Sequence, residues 1–135
     1  MRRANARTTI RRTEAECLVM ATISHIVLMN PRTDLSLDDR SAFIDAFERA
    51  IRDIPTVKAV RVGRRVTHGA AYEQAAPDAN YLAVIDFEDL SDLQAYLRHP
   101  AHDDLGVRFG RSLQSALVFD FEVGGVEELR RWRLP

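Results

Sequence analysis

The stretch Tyr96–Gly106, YLRHPAHDDLG, puts a tyrosine, two histidines and two aspartates around one proline. Imidazole, phenol and carboxylate are the groups that pass protons near neutral pH, and imidazole and carboxylate also bind metals. His99 and His102 straddle Pro100 and need not point together. No H-E-x-x-H or comparable ligand spacing occurs, so no metal is expected. Pro100 lacks a backbone N–H and restricts its predecessor, so it breaks one helix before the next begins. His99 then falls at a helix C-terminus, where a cation is favoured, and reads as structural. His102 is the candidate for chemistry. Cys17 and His68 lie outside the expected core with nothing to make them reactive. GVRFGRS (Gly106–Ser112) is one residue short of a phosphate loop, carries arginine for lysine and sits in a helical pattern, so it is set aside.

Four strands and two main helices must position these groups. ISHIVLM (Ile23–Met29) is apolar on both faces and reads as a buried strand. Ser36 opens SLDD, a helix start with Asp39 at the capping-box position. Phe43, Ile44, Phe47, Ile51 and Ile54 then form one helical stripe. Val57–Val66 alternates apolar and basic residues as a half-wet strand, and Thr67–Ala79 is a loop. Tyr81–Phe87 is a third strand. A helix follows with Ser91 as N-cap and Leu90, Leu93 and Leu97 on one face. His102, Asp103 and Asp104 open a short helix, and Gln114–Val123 is the last strand. The order β-α-β-β-α-β predicts an α+β, ferredoxin-like sandwich with an antiparallel sheet and its helices on one face.

That architecture leaves a sheet face without helices, yet both faces are apolar: Ile23, Val27 and Met29 oppose Ile26 and Leu28 in the first strand, Tyr81, Ala83, Ile85 and Phe87 oppose Leu82 and Val84 in the third, and Ala116 and Val118 oppose Leu117, Phe119 and Phe121 in the last. An apolar patch of that size marks an interface, and a symmetric homodimer would bury it.

The bulk numbers agree with one soluble domain. The chain has 135 residues, 46% hydrophobic and 29% charged, with net charge -1. Near-neutrality gives no reason to expect nucleic acid or an anionic membrane as a partner. No apolar run approaches the ~18 residues of a membrane span. One cysteine excludes an internal disulfide and suits a cytoplasmic protein. All basic residues but Lys58 are arginine, read as bacterial base composition. Residues 1–19 carry five arginines with little apolar periodicity, so they read as a basic arm or as sequence before a true start at Met20. Residues 20–123 form the domain and 124–135 a polar tail.

SHIVLM, HPAH after an aromatic-bearing helix, and LVFDFE together resemble the stress-responsive dimeric α/β barrel (Dabb) family over about residues 23–122. HPAH, placed between the second helix and a short third one, is fairly specific. The resemblance implies a ferredoxin-like protomer, a homodimeric barrel and no cofactor. A plant member is a polyketide cyclase that performs an aldol condensation. Its chemistry carries over to His102 as general base, Tyr96 as donor to the oxyanion and Asp120 as the carboxylate behind the base. His25 lines the pocket. A pocket histidine of the family is absent near the third strand, where Asn80 and Tyr81 stand. Asp120 suits its role, because it interrupts a core-like strand between Phe119 and Phe121. The same residues also allow a non-catalytic reading, in which Asp120 latches His102, Tyr96 is a wall and His25 is a satisfied core histidine. The implied function is a cofactor-free cyclase-like enzyme, or a homodimer that binds a small apolar, polyketide-like ligand or protects against stress without catalysis.

Overall fold

The structure is a computed structural model that describes residues 22–133. The basic arm, the Met20 start and Cys17 lie outside the described residues. Four strands, β1 (Thr22–Pro31), β2 (Ala59–Arg64), β3 (Tyr81–Phe87) and β4 (Leu113–Val123), form one antiparallel sheet in the order β2-β3-β1-β4. Helices α1 (Leu37–Asp53), α2 (Leu90–Arg98) and α3 (Pro100–Ser112) cover one face. This is the ferredoxin-like α+β sandwich. A 3-10 turn at Ala71–Gln74 lies in the β2–β3 loop, and a short helix α4 (Glu128–Arg131) stands in the tail. Among the described residues no helix is long and apolar enough to cross a membrane.

Local chemistry sets the ends of the helices. Ser36 caps α1 by accepting from the Asp39 N–H at 3.0 Å, as SLDD requires. The cap of α2 is Asp89, not Ser91: its carboxylate accepts from the Asp92 N–H at 2.8 Å, so the helix begins before the serine. The third helix is longer than expected. It starts at Pro100 because proline's fixed φ and missing N–H suit the first helical position.

Two clusters hold the layers together. Ala46, Ala50 and Ile54 from the α1 segment meet Ile85 and Phe87 of β3, Leu93 and Tyr96 of α2, and Ala101 and Leu105 of α3. The second cluster joins Val27, Met29 and Ala83 on the sheet to Phe43, Phe47 and Phe109 on the helices. Strand β4 is different. Its residues are exposed or half-buried along its whole length, because it is an edge strand that the helix layer does not reach. On the helix-free face Leu117, Phe119 and Phe121 of β4 stay 45–48% exposed.

Candidate active site

The register of the two terminal strands makes the central contact. His25 of β1 lies opposite Asp120 of β4, both on the helix face. Their side chains meet directly, His25 Nδ1 to Asp120 Oδ1, at 2.6 Å. The imidazole is buried, whereas the carboxylate is 45% exposed at the sheet edge. With Nδ1–H donating to the carboxylate, Nε2 carries the lone pair.

This corrects the expected pairing. Asp120 does not hold His102; it holds His25. His102 comes from α3, and the acceptor facing its ring is the Leu97 carbonyl. The reason is topological. Asp120 is a cross-strand neighbour of β1, and same-face residues opposite each other across two strands lie within contact range.

Tyr96 joins the two histidines. Its ring, 1% exposed, lies edge-on to His102 at 4.8 Å between centroids and to His25 at 5.8 Å, with Phe87 at 5.1 Å behind it. The four residues named from the sequence thus converge, in the order Asp120, His25, Tyr96, His102. His25, Tyr96 and His102 line a cavity of about 220 Å³ between the sheet and the helices, and Asp120 joins it through its contact with His25. The rest of its wall is apolar and includes Phe43, Phe47 and Phe109, with Leu97, Gly106 and Val118 at exposed positions. No lysine or arginine lines it. Among the described residues no cluster of three histidine, cysteine, aspartate or glutamate side chains could hold a metal.

Burial tunes the site. It pushes the Tyr96 phenol up to about 12, so the hydroxyl keeps its proton and can donate. Burial also lowers the His102 imidazole, and the neighbouring His25 lowers it further. Asp103 and the Leu97 carbonyl oppose the shift. His102 is therefore neutral near pH 7.

A stability prediction follows from the sign of that shift. The unfolded imidazole binds its proton near pH ~6.5, and the folded one only at lower pH. The folded state therefore keeps its full His102 contribution above that range and loses it as pH falls through it. Between about pH 7 and about pH 5, wild type should lose more stability than His102→Gln, which has nothing to titrate there. Urea unfolding at both pH values checks this, and parallel losses would contradict it.

A ferredoxin-like sandwich with two imidazoles flanking a buried phenol, one of them backed by a carboxylate, defines a small α+β domain built around an apolar pocket. The chain belongs to the family described as Stress responsive A/B Barrel Domain, which matches residues 23–123. It is similar to olivetolic acid cyclase from Cannabis sativa, with 23% identity over 101 residues, covering 73% of this chain and 94% of that protein. Its fold is similar to that of a hydroxynitrile lyase from Passiflora edulis, at 17% identity and a TM-score of 0.67, covering 78% of this chain and 95% of the other. A dimeric ferredoxin-like protein of unknown function from Thermobifida fusca gives 20% identity and a TM-score of 0.60, over 76% and 92% of the two chains.

Proposed function

We propose that the cavity is the active site of a cofactor-free enzyme that moves protons on a small, uncharged, largely apolar carbonyl compound, in the manner of a polyketide cyclase. One observation carries this reading. A tyrosine whose hydroxyl stays protonated lies between two imidazoles, one fixed by a carboxylate at 2.6 Å, on the wall of an otherwise apolar cavity. The likeness to olivetolic acid cyclase supports a ring-closing reaction.

The steps balance without a cofactor. His25, oriented by Asp120, takes a proton through Nε2 from a carbon between two carbonyls. Tyr96 donates to the enolate oxygen. The enolate carbon attacks a second carbonyl carbon of the same chain, forming the C–C bond. The His25 imidazolium gives that proton back to the resulting alkoxide, with neutral His102 on the far side of the phenol as the relay, so both imidazoles end the cycle neutral. The absence of lysine and arginine from the wall favours an uncharged substrate.

The working form is a homodimer closed through the helix-free face, whose exposed phenylalanines need a cover. An apolar cavity would equally suit a dimer that binds a ligand and does nothing to it. Turnover separates the two. Wild type should cyclise members of a panel of linear poly-β-keto compounds. Absence of cyclisation together with a ligand-induced shift of the His102 resonance would leave the binding reading. Absence of both would overturn the site.

A further inference from the structure

We infer that His99 is a positioning residue, whose neutral imidazole sets the spacing between Tyr96 and His102. The role given to the Tyr96–His102 pair rests on the function proposed above. His99 makes three kinds of contact, each to a different part of the site. Its backbone N–H donates to the Tyr96 carbonyl at 3.2 Å and so closes α2. Its own carbonyl accepts from the His102 N–H at 2.9 Å and the Asp103 N–H at 3.2 Å, which opens α3. Its side-chain Nδ1 accepts from the Ala101 N–H at 3.0 Å, capping α3 at the second helical position. The two functional rings are thus three residues to either side of one residue that ends one helix and starts the next. That residue is extended, with φ -71° and ψ 140°, and Pro100 follows it at the first position of α3.

Capping bears on the geometry because His99 is the residue at which α2 ends and α3 begins. A helix start leaves N–H groups without partners, and the His99 imidazole satisfies one of them. Without it the first turn of α3 can fray. His102 is in that turn and swings with it, while Tyr96, anchored among Phe87, Leu93 and the rest of the core, stays in place. An acceptor is what the position needs, and histidine supplies it only as the neutral ring, whose Nδ1 lone pair is free. Asparagine supplies the same acceptor on a side chain strongly preferred at this helical position.

The test compares wild type, His99→Ala and His99→Asn in the full chain. Each protein is read for its unfolding midpoint, for the nuclear Overhauser contact between the Tyr96 and His102 rings, and for kcat and KM on the carbonyl compound that wild type turns over. A misplacement of about 1 Å costs a reacting site ~10²-fold, so His99→Ala should lose ~10-fold or more in kcat per folded protein. It should also weaken the ring–ring contact, with KM moving less. His99→Asn should restore both to near wild type. If His99→Ala lowers the midpoint alone, and leaves kcat and the ring contact unchanged, His99 is only a cap and the inference is overturned. If wild type turns over nothing, the proposed function fails. The ring contact then decides by itself: lost in His99→Ala and recovered in His99→Asn supports the positioning role, and unchanged in both overturns it.

Discussion

His25→Ala should abolish proton abstraction, lowering turnover by ~10²–10⁴-fold, the range that a positioned general base supplies. The protein should stay folded and dimeric, because the imidazole is one buried side chain and its loss leaves Asp120 half in water. Asp120→Asn should cost less than this. In buried hydrolase triads an uncharged partner forces the wrong tautomer and drops kcat by ~10⁴-fold. Here the carboxylate is 45% exposed, so water can share its role, and a loss of roughly 10–10²-fold is the expected result. Tyr96→Phe should lose roughly 10²-fold, as removal of one oxyanion donor does elsewhere. The order of effects is the informative quantity. If His102→Ala is crippling while His25→Ala and Asp120→Asn are neutral, the base is on α3 and the strand pair is a structural latch.

The second large effect concerns assembly. Phe119→Glu with Phe121→Glu should convert a dimer to a monomer. Both rings lie on the helix-free face, pack against each other at 6.0 Å and are nearly half exposed in the single protomer. Substitution there removes little packing from the protomer, so its melting temperature as a monomer should hold. In a dimer closed through that face two carboxylates would be desolvated on each side, each costing several kcal/mol, and dissociation should strengthen by ~10³-fold or more. A specific interface of ~800 Å² per partner would lie across this sheet. Sedimentation of wild type and variant at micromolar concentration gives the answer, and a wild-type protein that sediments as a stable monomer contradicts the dimer.

Much of the fold was legible because periodicity reports burial. The alternation in Tyr81–Phe87 and the 3–4 spacing of Phe43, Phe47 and Ile51 each arise from one inward face, and the structure packs those residues against the core, although Ile44 of the same expected stripe is exposed. The partner of Asp120 was not legible from residue type. A carboxylate expected behind a catalytic histidine pointed to His102, the histidine of the recognisable motif. Its true partner follows from which residue of β1 stands opposite it, and register is decided by burial over the whole sheet, since a slip of one residue would turn Asp120 to the other face. One signal was present: His25 and Asp120 are ionisable residues set within the apolar runs ISHIVLM and LVFDF of the first and last strands, and this topology pairs those strands side by side. His99 does end α2, as its place before proline indicated, but proline is also favoured at the start of a helix, and the same residue opens α3. Only the contact of its imidazole with the Ala101 N–H shows that it caps the helix it precedes.

The most direct test of the central claim is hydrogen exchange at carbon. An alkyl aryl ketone, whose uncatalysed exchange is slow, is incubated with the protein in deuterated buffer, and the loss of its α-proton signal is followed by NMR. Wild type should accelerate that loss, and His25→Ala, folded and dimeric, should not. Exchange at the buffer rate with wild type, for ketones shown by NMR to occupy the cavity beside His25 and Tyr96, would contradict the account.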